Sequence, residues 1–576
     1  MDGNGFVHFA MDNYSKFIPK NMEIYCYSGS NLFKDVIKFY YRLFSKLFDL
    51  SIVFDSGVPH SKLDTIFERD TKRIFDLKQF NDEILATEGS TSSKRLLPPL
   101  LYPSAFEALR EENANVQFAI EEADDLIASI AFDKNSYVLS NDSDFYVCPI
   151  IGFIPFNHID IQLEPAELWT DKMNPDRLIT IQAAIYSNEQ IRRGLNLQSQ
   201  DLFSLTCSLI GNELVPFFIF DKIMRFEKNL YQYFQIRNYK YSQPYSLKDK
   251  IRRLFSLFSQ LNDVKTQHLL RGLEDVLRLN QHELGLIVES MASYSPKPLQ
   301  FASEKHQLYA TTTDKSALHV YLRSGILAGH FAEIGFTQFC RSCSAFEDIK
   351  KESIFESTGQ IRKWLFVICK HFMFEFNDLT ILTTRRQFDK LLKEDVFIPS
   401  VDDLSQHLGM EISKQSWHTL SFDIKLKIFT QLLGLNEANN LIDVVVDYCK
   451  INVKEPELKQ YLKHIIGCYK VVPENIKIKE HEDLLPLYHL SCEIQAIILE
   501  ISNLAKAIFY NPTKTTYTHE EAAFIMEFGE VSDKFDPCGF VLKCLNSAVV
   551  NGKEQKIARA IPMSFDDLVE SYVNNK

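Results

Sequence analysis

The sequence predicts an α/β domain, a parallel sheet flanked by helices, followed by a longer, mostly α-helical region. Three observations carry this. In the first 160 residues, short β-rich runs alternate with segments of helical period, the pattern of parallel strands joined by crossover helices. Acidic residues stand where those runs end. Beyond about residue 175 the helical period dominates.

The first β run is Glu23–Tyr27 (EIYCY). The segment 32–48 follows, with apolar Leu32, Phe33, Val36, Ile37, Tyr40, Leu43, Phe44 and Leu47 at helical spacing. The second run, Leu50–Phe54 (LSIVF), leads into Asp55. Thr87–Arg95 (TEGSTSSKR) is polar and reads as a loop. Ser104–Leu109 has a helical pattern. The third run, Val116–Ile120 (VQFAI), leads into Glu121-Glu122-Ala123-Asp124-Asp125, and Asp124–Phe132 is again helical. The fourth, Ser136–Leu139 (SYVL), ends in Ser140-Asn141-Asp142-Ser143-Asp144. No Gly-, Ser- or Pro-rich linker, internal repeat or low-complexity tract divides the chain.

Composition excludes several classes. The chain has 576 residues, 45% of them hydrophobic and 24% charged, with 45 Phe and 24 Tyr, so it has ample apolar surface to bury. No run of about 18 uncharged apolar residues is present, so no membrane-spanning helix is expected. The N-terminal segment lacks the basic-then-apolar pattern of a signal peptide, so an intracellular chain is expected. The nucleus is the favoured compartment over the cytoplasm, although no basic cluster reads as a clear nuclear signal. A net charge of −13 argues against coating nucleic acid through bulk charge and leaves room for a local basic groove. The 11 cysteines are scattered and read as reduced thiols. Cys340 and Cys343 form a CxxC without the further ligands that a structural zinc needs. No phosphate-cradling GxxxxGK[ST] run and no HExxH are found.

In an open parallel sheet, sites form at the carboxyl ends of the strands. The runs therefore deliver Asp55, Glu122, Asp124, Asp142 and Asp144 to one edge. Gathered carboxylates raise one another's pKa unless a cation joins them, and hard divalent ions such as Mg²⁺ or Mn²⁺ suit oxygen ligands. Two such ions about 3.5–4 Å apart would activate a water and stabilise the leaving oxygen of a phosphodiester. The alternative is local. An Asp after a strand also caps the next helix, and acids suit the positive end of a helix dipole.

The stretch 116–159 resembles the asteroid-homologue family, of the XPG/flap-endonuclease branch of the PIN-like nucleases. The matching residues are Glu122-Ala123-Asp124, Val138-Leu139-Ser140-Asn141-Asp142-Ser143-Asp144-Phe145 and Gly152-Phe153-Ile154-Pro155-Phe156-Asn157. Asp55 in IVFDSG, the segment 62–73 (KLDTIFERDTKR), Pro99-Leu100-Leu101 and Leu209-Ile210-Gly211-Asn212-Glu213 extend the match to roughly residues 1–225. The resemblance implies a PIN-like nuclease domain over 1–225 and a mostly helical C-terminal domain over 226–576 that binds nucleic acid or protein partners. It also implies metal-dependent cleavage of single-stranded, overhanging or branched nucleic acid, DNA favoured, in DNA repair. By the same resemblance Asp55, Glu122, Asp124, Asp142, Asp144 and Glu213 are metal ligands, and Arg69 and Lys72 neutralise the scissile phosphate.

Three positions depart from the pattern. Ser28 stands where the family's first strand carries a metal-binding Asp, Glu213 replaces the last Asp, and Asp2 follows Met1 where active relatives have Gly. Mg²⁺ demands near-octahedral geometry, so these changes point toward a weakened two-ion site. The rival reading is a catalytically degenerate relative acting as a nucleic-acid-binding or regulatory scaffold. Residues 221–280 hold 12 Lys/Arg against 6 Asp/Glu, interleaved with Tyr231, Tyr233, Phe234, Tyr239, Tyr241 and Tyr245. That mixture suits phosphate neutralisation and base stacking, and equally a helical layer with a basic rim.

Overall fold

The computed structural model describes residues 1–14, 31–86, 96–119, 122–163, 178–236, 246–295, 330–342, 347–374, 379–435, 441–453, 484–509, 549–550 and 553–554. The run 23–27, Ser28, the loop 87–95, Glu121, Trp169, Tyr239, Tyr241, Tyr245 and Cys343 lie outside them. The chain forms two compact units. One comprises residues 1–5, 123–161 and 181–305, here the acidic-loop unit; the other comprises 6–122, 162–180 and 306–576, here the mixed unit.

Helix α1 (Gly3–Tyr14) places Phe6 and Phe9 against α2 (Asn31–Ser45), with Phe9 and Tyr40 rings 5.2 Å apart edge to face. Strand β1 (Ser51–Phe54) is followed by α3 (Leu63–Ala86) and α4 (Leu101–Glu111) before β2 (Asn115–Phe118). β1 and β2 pair in parallel from Ser51↔Asn115 to Phe54↔Phe118. The alternation of strand and helix in this stretch thus builds the expected crossover, because parallel neighbours need a long return. Helix α5 (Ala123–Asp133) precedes β3 (Tyr137–Ser140), which pairs in parallel with β4 (Gly152–Pro155). Strands β5 (Ile159–Leu163) and β6 (Leu178–Ala183) follow.

Six helices complete the acidic-loop unit: α6 (Asn188–Gly194), α7 (Gln200–Ser208), α8 (Phe217–Tyr233), α9 (Leu247–Phe258), α10 (Thr266–Leu277) and α11 (Gln281–Ser293). Ser199 and Ser246 cap α7 and α9 with their hydroxyls, and Asn280 with Glu283 forms a capping box on α11. The layer closes over Leu205, Leu209, Ile219, Phe220, Leu254 and Leu269. Tyr231 joins this core, so it is packing and not a stacking surface.

The later part of the mixed unit holds α12 (Gly359–Ile368), α13 (Val401–Leu408), α14 (Phe422–Leu432), α15 (Leu441–Asn452) and α16 (Leu484–Phe509). Trp364 and Trp417 are core anchors; the Trp417 ring stacks on Phe372 at 4.3 Å. The region is mostly helical, and it also holds a small sheet that the sequence does not announce. β7 (Phe339–Arg341), β8 (Thr380–Gln387) and β9 (Lys390–Phe397) form a mixed sheet, β7 parallel and β9 antiparallel to β8. Two features hide the hairpin in the sequence. Its turn is Phe388-Asp389, with Phe388 at φ 53°, instead of the Asn-Gly that such turns favour. β9 carries Lys390, Lys393, Glu394 and Asp395 and buries none of its residues, so it lacks the apolar alternation of a half-buried strand.

This sheet anchors α3. Asp70, buried on the helix's inner face, accepts the Arg341 Nε–H on its two carboxylate oxygens, each at 3.0 Å, and the Nη2–H on Oδ1. Asn81 donates to the Glu347 carbonyl at 2.9 Å. Arg386 is fully buried and pairs with Glu347 at 2.6 Å.

Candidate functional site

β3 ends at Ser140, and a single turn of 3₁₀ helix, Ser143–Tyr146, begins three residues later. Asp142 caps that turn: its Oδ1 accepts the Asp144 N–H at 2.8 Å. The capping alternative is therefore real for Asp142, and it leaves the second carboxylate oxygen to other uses. Ser140 Oγ accepts the Asp142 N–H at 3.0 Å and donates to Asp2 Oδ2 at 2.7 Å. Asp2 also donates its own N–H to the Leu139 carbonyl at 2.8 Å and accepts the Gly5 N–H at 2.9 Å. Burial raises the Asp2 carboxyl above the ordinary range, against the lowering effect of the Gly5 and Ser140 donors. Asn141 accepts the Asn157 N–H at 3.1 Å, tying the acidic loop to the end of β4.

Three acids of the predicted set act on one neighbour. Burial pushes the Cys148 thiol up, and the carboxylates of Asp144, Asp124, Asp125 and Asp142 push it further. Asp124 and Asp125 come from the first turn of α5, Asp142 and Asp144 from the loop after β3.

Glu213 comes from the loop between α7 and α8. Gly211 takes φ 103°, a left-handed backbone that favours glycine. Asn212 donates from Nδ2 to Ser290 Oγ at 2.7 Å and Tyr294 Oη at 3.0 Å. Its Oδ1 accepts the N–H groups of Leu214 at 3.0 Å and Val215 at 2.8 Å. The asparagine locks the loop and leaves Glu213 exposed at its tip. Asp144 ties this loop to the acidic turn electrostatically. After burial, it is the next influence raising both Tyr294 and Cys207, the latter to about 12. Ser140 and Asn212 are thus supporting residues that sequence reasoning did not single out, and Asp2, which the sequence marks only as a departure, supports the loop as well. Ser140 and Asn212 sat inside the quoted motifs, and only their partners reveal what they hold.

In the mixed unit, Asp55 follows β1 and is exposed. Glu122 pairs with Lys62 at 2.6 Å. Arg69 and Lys72 both lie on the exposed side of α3, away from the buried Asp70. The two units divide the predicted ligands, Asp55 and Glu122 in one, Asp124, Asp142, Asp144 and Glu213 in the other. The oxygen-rich donor set fits a hard cation by chemistry. Among the described residues, however, no group of three or more His, Cys, Asp or Glu side chains is arranged to hold an ion.

Residues 97–217, which hold α4 to α7 and the acidic turn, match a protein family described as XPG domain containing. Over this segment the chain is similar to the asteroid/XPG-like proteins. The XPG-like segment includes Glu122, Asp124, Asp142, Asp144 and Glu213. A curated relative, the single-strand DNA endonuclease ASTE1 of Danio rerio, is 36% identical over 111 residues. That alignment covers 19% of this chain and 15% of the relative. No solved structure matches the chain. No helix among the described residues is long and apolar enough to cross a membrane.

Proposed function

We propose that the XPG-like segment adopts a PIN-like fold and hydrolyses phosphodiesters in single-stranded or overhanging DNA with the help of divalent metal. The observation that carries the reading is the acidic turn: β3 presents Asp142 and Asp144 in a loop held by Ser140 and Asn141, beside the α5 carboxylates. Asp124, Asp142, Asp144 and Glu213 would hold Mg²⁺ or Mn²⁺. Such an ion supplies Lewis acidity to the phosphodiester and lowers the pKa of an attacking water. The chain's own contribution is to fix the carboxylates before substrate arrives, through the Asp2–Ser140–Asp142 hydrogen bonds and the Asn212 anchor. By resemblance Asp55 and Glu122 add ligands, and Arg69 and Lys72 neutralise phosphate charge. The functional division at about residue 225, partners on the later helices and a role in DNA repair belong to the same proposal.

The Lys62–Glu122 ion pair favours a second reading, a nucleic-acid-binding scaffold. There the lysine ammonium takes the charge-balancing place at Glu122 that an ion would take in a working site. Purified protein with labelled single-stranded, overhang and flap DNA in Mn²⁺ distinguishes the two. Metal-dependent products absent from an Asp142→Asn, Asp144→Asn variant support hydrolysis. Binding without products supports the scaffold.

A further inference from the structure

The basic and aromatic stretch after the acidic loop forms a defined surface on α8 and α10. An open groove of about 640 Å³ is lined by Phe226, Asn229, Gln232 and Tyr233 from one helix and by Asp275, Val276 and Arg278 from the end of the other. Its size falls in the range of small-ligand sites, roughly 300–1,000 Å³. Phe226, Asn229 and Tyr233 are three and four residues apart, so they share one face of α8. Phe226 is 41% exposed, a large apolar ring left in water. Among the described residues, the side chains of Phe226, Asn229, Gln232 and Arg278 make no hydrogen bond, ion pair or ring contact. Tyr233 is different. Its hydroxyl donates to Asp275 at 3.0 Å, and its ring lies edge to face on Phe234 at 5.1 Å, over the bare Cα of Gly272. One ring is thus preset and the other is open.

The groove lining itself is charge-balanced, Asp275 against Arg278, and further cations stand on the same two helices. The basic residues of this region sort into two sets. Lys250, Arg253 and Lys222 are held by Asp221, Glu227 and Glu283 and serve the fold. Arg225, Lys228, Arg271 and Arg278 are exposed and, among the described residues, form no ion pair.

We propose that this groove binds an unpaired nucleobase of a single strand, stacked on Phe226. Asn229 and Gln232 would face the base edges, and Arg278 with Arg225 and Lys228 the flanking phosphates. Amide side chains offer both a donor and an acceptor to a base edge, and aromatic faces stack on any base. A phosphate-only surface would not need an exposed ring beside unused amides. The inference rests on single-stranded nucleic acid being the substrate class, and its test does not require cleavage.

The test measures binding of a labelled oligothymidylate and of an abasic strand of equal length, both in EDTA. The wild-type protein should bind the thymidylate about tenfold more tightly. Phe226→Ala should remove most of that preference and leave the abasic affinity unchanged. Arg278→Gly should weaken both strands alike and lower the slope of log affinity against log salt by about 0.7. Glycine suits the left-handed backbone at Arg278, φ 51°, so this variant does not act by unfolding. Equal wild-type affinity for the two strands, or an unchanged preference in Phe226→Ala, overturns the proposal. Base-dependent binding without cleavage in Mn²⁺ would reject the nuclease reading alone. Cleavage without base preference would reject only the groove.

Discussion

Asn212→Ala is the most informative single change for the placement of Glu213. Asn212 makes two donor bonds, to Ser290 and Tyr294, and two acceptor bonds, from the Leu214 and Val215 N–H groups. A hydrogen bond contributes a net of about 1 kcal/mol, and an abandoned buried partner costs about 1–3 kcal/mol. Water reaches part of this loop and recovers some of the loss, so the expected destabilisation is roughly 2–4 kcal/mol. Urea unfolding reads it as a lowered midpoint at constant slope. Ser290→Ala removes one of the same bonds, so the double variant should lose less than the two single losses together, with coupling of about 0.5 kcal/mol or more. The loop is also what holds Glu213, so Mn²⁺ affinity should fall as well. A loss under about 0.5 kcal/mol with additive double-mutant behaviour would refute the claim that Asn212 is the loop's anchor.

Three further outcomes are expected. Arg386→Met strands the fully buried Glu347 carboxylate and should cost about 3–5 kcal/mol in thermal or urea unfolding, while adding Glu347→Gln should recover part of it. His489 is held neutral by burial and by Lys351 and Arg386, its pKa lowered from 6.5 to about 3. The unfolded chain therefore binds the proton first, and stability should fall as pH drops from 6.5 towards 3. The loss is roughly 2 kcal/mol by about pH 5, and His489→Gln should flatten this limb of a urea titration across pH. Gly272→Ala places a Cβ 2.8 Å from Tyr233 Cε1 and against the Phe234 ring. It should displace Tyr233 and cost about 1 kcal/mol in urea unfolding, and it should lower oligothymidylate affinity more than abasic affinity.

Much of this architecture is legible in the sequence because its signals are local. Helix α2 and strands β1, β2 and β3 announce themselves by period, and the acids that follow β1 and β3 come directly after the apolar runs. The XPG-like motif reads for the same reason, being nearly continuous from Glu122 to Asn157. What did not read is held by partners distant in sequence. Arg341 meets Asp70 across 271 positions, and Asn212 meets Tyr294 across 82. The polar β9 carries no apolar alternation to reveal it. Lys250 and Arg253, counted among the 12 basic residues of 221–280, are held in ion pairs with Asp221 and Glu227, so reversing their charge would disturb the fold before any ligand. Only the fold separates those structural cations from Arg225, Lys228, Arg271 and Arg278.

The central claim is that Asp142 and Asp144 hold a divalent ion. Calorimetric titration of Mn²⁺ into wild type and an Asp142→Asn, Asp144→Asn double variant tests it most directly. Asparagine keeps the Oδ1 that caps Asp144 and removes both charges, so the fold is preserved while the site is not. Measurable Mn²⁺ binding by the wild-type protein that is lost in the folded variant is the predicted result. Equal affinity in the two proteins, or no binding by either, would contradict it.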